Sequence, residues 1–266
     1  MNLIDIDSEI CTACGLCIVE CPFGLLAQQT GDVPDLIPGG ESFCMRCGHC
    51  LAVCPVGALA LDGETPESCD PAQTGAAVDP PAMAALLKNR RSIREYKDRP
   101  VPRKDMQELM EPVRWAPTAK NEQPVHWLLV DDRAAIHDLA RLTVEWAREI
   151  DRMPELVTAW DAGKDLVLRN APLLAIATAP SDGLSPVIDS TIAASALELA
   201  ATAYGLGSCW AGYFMRAAQQ YGPIAERLNL PRGHQVCAAL MMGYPKRTYH
   251  RVPPRKPADV TWLGSV

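Results

Sequence analysis

The sequence predicts an α+β protein in two parts: a small N-terminal module folded around metal–sulfur centres, then a larger sandwich of helices around a sheet. Three observations predict it. Eight cysteines fall in two copies of one spacing between Cys11 and Cys54. Residues 62–81, DGETPESCDPAQTGAAVDPP, are rich in proline, glycine and acid, lack periodicity and read as a linker. Beyond them, helical and strand-like apolar patterns follow one another with few hairpin signals, which favours helices packed on a sheet. A chain of 266 residues is long enough for both parts, the larger with a sizeable core. The expected domains are residues 1–61 and 82–266.

The first cysteine copy is Cys11, Cys14, Cys17 and Cys21-Pro22; the second is Cys44, Cys47, Cys50 and Cys54-Pro55. Each reads C-x2-C-x2-C-x3-C-P, the bacterial-type iron–sulfur run of two-cluster ferredoxins. Three cysteines two residues apart grip one cubane, and the fourth, followed by proline, ligates its neighbour. Two [4Fe-4S] clusters are therefore expected in a ferredoxin-like domain. The first takes Cys11, Cys14, Cys17 and Cys54; the second takes Cys44, Cys47, Cys50 and Cys21. A pair of four-cysteine zinc sites is disfavoured, because zinc knuckles use cysteine pairs rather than triplets closed by Cys-Pro. A disulfide framework needs a secretory context, and MNLIDIDSEI has neither a basic n-region nor a long apolar h-region. The two halves also repeat outside the cysteines: Cys11–Gly24 matches Cys44–Gly57, each ending in Cys-Pro-x-Gly. Gly15 and Gly48 follow the second cysteine of each run, where backbone passes close to a cubane. Cys69, in the linker, reads as an incidental thiol.

Charge separates the two parts. Residues 1–62 carry eight acids against the single base Arg46, so the whole net charge of −7 lies there. An acidic face disfavours nucleic acid and suits steering toward a basic redox partner. No apolar run approaches the roughly 20 residues that cross a bilayer. The expectation is a cytoplasmic protein with no membrane contact.

Residues 82–90 read as a helix opened by Pro80-Pro81, and Arg90-Arg91-Ser92-Ile93-Arg94 follows at its end. Residues 103–115 make a second helix, interrupted or shifted at Pro112. Pro117 to Pro124 is a polar turn. Val125–Val130 is a strand, and residues 133–152 a long amphipathic helix. Leu173–Thr178 is nearly all apolar, a strand buried on both faces. Thr191–Tyr204 is an alanine-rich helix, central or at a tight helix–helix seam. Gly205–Gly212 reads as a glycine-rich loop serving a site, Val236–Met242 as a further strand, and the tail from Lys246 as irregular. The stretch from Trp146 to Trp160 shows little pattern.

Residues 82–262 resemble the FMN-dependent nitroreductase family, and four features carry the resemblance. Arg90-Arg91-Ser92-Ile93-Arg94 is similar to the family's opening R-R-S-x-R, which grips flavin phosphate and ring. Ala116-Pro117-Thr118-Ala119-Lys120-Asn121-Glu122-Gln123-Pro124 is similar to A-P-S/T-x-x-N-x-Q-P, which reaches the flavin bound mainly by the partner subunit. Gly205–Gly212 is similar to the loop beside the isoalloxazine. Gly243-Tyr244-Pro245, with Arg251, Arg255 and Lys256 after it, is similar to the C-terminal phosphate-binding element. The resemblance implies a nitroreductase-like α+β sandwich, FMN, and a homodimer with FMN at its interface. It implies cofactor contacts from Arg90, Arg91, Ser92, Arg94, Pro117, Thr118, Asn121, Gln123, Arg255 and Lys256. It adds the N–H groups of Ala211 and Gly212 near flavin N5, and Lys164 as the polar residue before the Leu173 strand. Where the family often has an acid before the last glycine of the loop, this chain has Ala211.

Guanidinium forks suit a phosphate dianion, so the residue chemistry agrees with the resemblance. The implied function is an iron–sulfur flavoprotein oxidoreductase. Electrons enter through the clusters and leave from FMN to a nitroaromatic, quinone or similar electron-poor small molecule. An external ferredoxin or NAD(P)H is the implied donor. An electron carrier without its own substrate, and an enone reductase or dehalogenase on the same fold, are the alternatives. A cluster-based sensor would need a partner helix or basic DNA-binding patch, and neither is visible. His126, His137, His234 and His250 show no partner pattern, so no acid–base catalyst is assigned.

Overall fold

The computed structural model describes residues 2–29, 31–72 and 78–264. Of the expected linker, residues 73–77 lie outside the described residues. The chain forms two compact units. One comprises Met1–Ala77 with Thr118–Gln123; the other comprises Val78–Pro117 with Pro124–Val266. The smaller unit therefore takes in most of the expected linker. Residues after Asp62 turn back so that Glu64 bridges Leu61, and Pro66–Ser68 forms a short 3-10 turn.

The smaller unit is a pseudo-symmetric pair of halves. Strand β1 (Ile4–Ile6), helix α1 (Leu16–Glu20) and strand β2 (Leu26–Ala27) are followed by β3 (Asp35–Leu36), α2 (His49–Val53) and β4 (Leu59–Leu61). β1 pairs antiparallel with β4, and β2 with β3. Leu26, Leu51, Leu59 and Leu61 form a small apolar core that also contains Cys50. So few apolar side chains bury little area, and a domain of this size ordinarily needs a metal centre to hold it.

The larger unit is built on a four-stranded antiparallel sheet. Helices α3 (Pro80–Asn89) and α4 (Arg103–Val113) precede β5 (His126–Val130), α5 (Arg133–Glu149) and α6 (Pro154–Asp161). Then come β6 (Leu173–Pro180), α7 (Pro186–Ala203), β7 (Gly207–Trp210), α8 (Gly212–Ala218), α9 (Gly222–Leu228) and β8 (His234–Gly243). The strand order is β5-β6-β8-β7. On β6, Leu174 and Ile176 enter one core with Leu139, Val144, Phe214 and Ile224 of α5, α8 and α9. Leu173, Ala175 and Ala177 enter the other with Leu109 of α4 and Ala194, Leu197 and Ala201 of α7. Strand alternation thus feeds two cores, which is why this strand is apolar throughout.

Local rules account for the helix ends. Asp132 caps α5 by accepting the Ala134 and Ala135 N–H groups at 2.7 and 3.1 Å. Pro112 falls in the last turn of α4, which runs through it and stops at Val113. Gly205–Gly212 departs from the expected loop: Gly207–Trp210 is edge strand β7, and Gly212 opens α8. Its glycine serves close packing. A Cβ on Gly207 would stand 2.4 Å from Ile93 Cγ1 and 2.9 Å from Pro245 Cγ. Ile93 lies there because its N–H donates to Ser208 O at 2.8 Å.

Candidate functional site

In the smaller unit the two cysteine runs follow one backbone path. Ala13 and Arg46, each just before the second cysteine of its run, both have φ of 49°. Gly15 and Gly48, just after it, have φ of 72° and 75° and open α1 and α2. The Cys21 sulfur accepts the Leu25 N–H at 3.4 Å, and the Cys54 sulfur accepts the Ala58 N–H at 3.2 Å. Two cavities result. One is lined by Cys11, Cys14, Cys17 and Cys54 with apolar Ile6 and Leu59. The other is lined by Cys21, Cys44, Cys47 and Cys50 with Leu26 and Leu61. Each run thus lends its fourth cysteine to the other cavity.

All eleven cysteines are unpaired thiols. Burial pushes the Cys17 thiol up, and it pushes Cys50 up to about 11. Thiolates at those positions need a bound cation to compensate them. Among the described residues, no three His, Cys, Asp or Glu side chains close on one point as a single ion requires.

The segment Thr118–Gln123 is part of this unit. Lys120, Asn121 and Gln123 are left-handed, with φ of 48°, 55° and 49°. Thr118 Oγ1 accepts the Gln123 N–H at 3.0 Å, and the Gln123 amide donates to Asn121 Oδ1 at 3.3 Å. The Asn121 amide donates in turn to Arg46 O at 3.1 Å and Met45 O at 3.5 Å.

In the larger unit a cavity of about 480 Å³ is lined by Arg94, Arg169, Arg216, Cys209, Trp210, Gly212 and Tyr213, among others. That size falls in the ~300–1,000 Å³ range of small-molecule sites. Among the described residues, none of the three arginines has an ion-pair or hydrogen-bond partner, and no acid lines the cavity. Asp165 sets Arg169: its carboxylate accepts the N–H groups of Val167, Leu168 and Asn170 at 2.8, 2.9 and 2.8 Å. That turn leaves Arg169 and Asn170 left-handed, at 59° and 50°. A second basic hollow is lined by Arg91, Arg255 and Lys256 with Pro253 and Pro254.

A model described as the nitroreductase family matches residues 87–244, more than half of the chain, and one described as a 4Fe-4S dicluster domain matches residues 3–55. The chain belongs to the nitroreductase family. It is an oxidoreductase with a 4Fe-4S domain at its N-terminal end. A "Putative NADH dehydrogenase/NAD(P)H nitroreductase" of Archaeoglobus fulgidus is 28% identical over 60% of this chain and 84% of that protein. Among solved structures, a nitroreductase with bound FMN from Bacteroides fragilis superposes with a TM-score of 0.60 at 22% identity, over 68% of this chain and 98% of that one. An iodotyrosine deiodinase bound to FMN and 3-iodo-L-tyrosine has a TM-score of 0.56 at 20% identity, over 68% of this chain and 99% of that one. At these identities the two structures show the shared fold.

In this member of the nitroreductase family, the expected flavin residues fall into three groups. Arg94 and Gly212 line the large cavity, and Arg91, Arg255 and Lys256 line the basic hollow. The remainder are engaged elsewhere. Arg90 pairs with Glu198 on α7 at 3.1 Å, whereas Ser92 is bridged to Ser208 only through its backbone and its side chain hydrogen-bonds Cys209 of the cavity lining. The Ala211 N–H is spent in the sheet on Ala239 O at 2.9 Å, so of the two expected donors only Gly212 faces the cavity. Its N–H, at the first position of α8, has no intrahelical acceptor. Lys164 is exposed and does not line the cavity. Pro117 closes the segment of the larger unit that leads into the Thr118 turn, and Thr118, Asn121 and Gln123 hydrogen-bond within the smaller unit.

Sequence reasoning missed Arg169, Arg216, Asp165 and Glu198. The signal for Asp165 and Arg169 was present in Asp-Leu-Val-Leu-Arg-Asn, an acid placed to cap a turn just before a buried strand. Cys209 and Trp210 also line the cavity.

Whether these residues fit FMN follows from the donors. Three guanidinium groups without acids favour an anion, Trp210 and Tyr213 supply flat walls, and Gly212 offers a free backbone donor. The cavity suits a flat, electron-accepting ring, and the basic hollow of Arg91, Arg255 and Lys256 suits a phosphate.

Proposed function

We propose that this nitroreductase holds two [4Fe-4S] clusters and FMN, and reduces a nitroaromatic, quinone or similar electron-poor small molecule. The observation that carries the reading is the crosswise pair of cysteine quartets, Cys11/Cys14/Cys17/Cys54 and Cys21/Cys44/Cys47/Cys50, each round its own cavity. When bound, the clusters supply one-electron transfer and FMN exchanges one or two electrons.

The chain's own residues position these groups and hold charge. The eight thiolates hold the clusters, and the Leu25 and Ala58 N–H groups stabilise charge on the Cys21 and Cys54 sulfurs. Arg94, Arg169 and Arg216 stabilise negative charge in the cavity, while Gly212 N–H orients the ring edge. Arg91, Arg255 and Lys256 hold the phosphate. Among the described residues no histidine lines the cavity, and water or the lining Tyr213 is the proposed proton source.

The functional unit is a homodimer with FMN at its interface. Val187, Ile188 and Ile192 lie exposed on α7, and that apolar surface supports the dimer. The reading includes a cytoplasmic location and an external ferredoxin or NAD(P)H as donor. Among the described residues no helix is long and apolar enough to cross a membrane.

The test is an anaerobic preparation assayed for iron, sulfide and flavin per chain. Absorbance titration with reduced ferredoxin, NADH and NADPH follows, then turnover with a nitroaromatic and a quinone. Both cofactors bound and at least one acceptor consumed is the expected result. A chain that fills with clusters and FMN, passes electrons, yet consumes no acceptor would overturn the substrate half and leave an electron carrier.

A further inference from the structure

The two cysteine runs are alike in backbone and differ in what holds them. In the first run the residue before the second cysteine is Ala13, and its carbonyl accepts the Gln28 side-chain amide at 3.4 Å. The matching residue of the second run is Arg46, and its carbonyl accepts the Asn121 amide at 3.1 Å. Ala13 and Arg46 share the same φ of 49°. One carbonyl is thus bound by a carboxamide in both halves. Gln28 comes from the cysteine module itself. Asn121 arrives from a six-residue segment whose two ends continue into the other unit.

The segment is shaped for that role. Three of its residues are left-handed without being glycine, which is uncommon and persists only where surrounding interactions fix it. Gln123 holds Asn121 by its oxygen, which leaves the Asn121 nitrogen for the carbonyls of Arg46 and Met45.

We propose that Asn121 is a positioning residue for the second iron–sulfur site, fixing the Cys44–Cys47 backbone as Gln28 fixes Cys11–Cys14. The proposal rests on the two-cluster reading above. Arg46 O belongs to the same peptide as the Cys47 N–H, and Ala13 O to the same peptide as the Cys14 N–H. A carbonyl that accepts a hydrogen bond polarises its peptide and makes that N–H a stronger donor. Donors around a cluster stabilise its reduced, more negative state and raise its potential. The second site therefore depends on a residue far along the chain, and the first does not.

The experiment uses the full-length protein purified anaerobically, with Asn121→Ala, Asn121→Asp and Gln28→Ala beside wild type. Redox titration followed by electron paramagnetic resonance reads the two midpoints. Amide exchange read by mass spectrometry compares residues 44–50 with 11–17. Asn121→Ala is expected to move one midpoint to a more negative value and Gln28→Ala the other. Loss of one hydrogen bond should speed exchange about threefold to tenfold at 44–50 in the Asn121 variants, with 11–17 unchanged. Asn121→Asp keeps the size, removes the donor and moves the same midpoint. If Asn121→Ala and Asn121→Asp leave the exchange at 44–50 and both midpoints unmoved, or shift both midpoints alike, the proposal is wrong. Wild-type iron sufficient for a single cubane would instead overturn the two-cluster reading, and exchange at 44–50 would still judge Asn121.

Discussion

Arg90 and Glu198, 108 residues apart in sequence, meet at 3.1 Å between Nη1 and Oε1. Both are largely withdrawn from water, with side chains 22% and 10% exposed, and Ser208 Oγ also donates to Glu198 at 3.4 Å. The pair ties the end of α3 to α7, so its first arginine serves the fold. Removing one partner strands the other in a poorly solvated place. Arg90→Ala or Glu198→Ala is expected to cost about 3 kcal/mol in chemical denaturation. Arg90→Ala should keep its flavin affinity wherever the variant is folded; a stable Arg90→Ala protein that has lost only flavin would reverse this assignment.

Arg94, Arg169 and Arg216 make the opposite prediction. Among the described residues they have no protein partner, so their loss leaves no buried charge behind. Each change to Ala should weaken FMN roughly 10- to 100-fold in a fluorescence titration, the worth of a charge-assisted hydrogen bond, with little change in unfolding midpoint. Asp165→Ala should do both. It removes the carboxylate that accepts three N–H groups in a buried turn, costing about 2–4 kcal/mol, and releases Arg169 from its left-handed position.

Gly207 is held by sterics. Its absent Cβ leaves room for Ile93 and Pro245, which are neither flexible ends nor free to withdraw. Gly207→Ala is expected to destabilise by about 1–3 kcal/mol through overpacking. Because Ile93 lies between Arg91 and Arg94, flavin affinity should fall with it. Thermal melts with and without FMN distinguish this from a change in binding alone.

Acid should loosen the seam between α5 and α9. The Asp138 carboxylate accepts from Arg141 at 2.7 Å and from Arg227 at 2.9 Å. The Arg141 bond first, then that of Arg227, holds its pKa below the ordinary carboxylate value. A depressed pKa contributes stability above the unfolded value near ~4, and that stability is lost as pH falls through the folded value. The side chain is a third exposed, so the contribution is no more than about 1 kcal/mol. The difference in stability between wild type and Asp138→Asn should shrink steadily from pH 6 to pH 3; a constant difference would show the pairing to be inert.

Much of the fold was legible where one physical pattern dominated. The run Leu173–Thr178 could only be buried on both faces, and β6 is. The cysteine spacing implied crosswise sharing, and the cavities have it. Short elements were not legible. α6, α8 and α9 span seven or eight residues each, too few to show a period, and packing decides them. Gly205–Gly212 does reach the cavity, but as strand β7 and the start of α8 rather than a loop, because glycine marks both flexible turns and tight packing and sequence alone does not say which. Arg90 and Arg94 lie in one motif and differ in fate because Glu198, on a distant helix, captures one of them. Asn121 was readable as part of a polar turn, but its partner Arg46 is brought to it only by tertiary structure.

The crosswise cysteines also bear on the order in which the smaller unit matures. Cys21 and Cys44 line one cavity, Cys17 and Cys54 the other, so the span that closes the first lies nested inside the span that closes the second. Closing the inner ring leaves a shorter free path for the outer ring, and shorter rings cost less entropy to close. On the two-cluster reading, filling either site would therefore help the other to fill, and stripping either would expose the other to loss. The module would then act as a buckle of two nested rings, loaded or emptied as a whole.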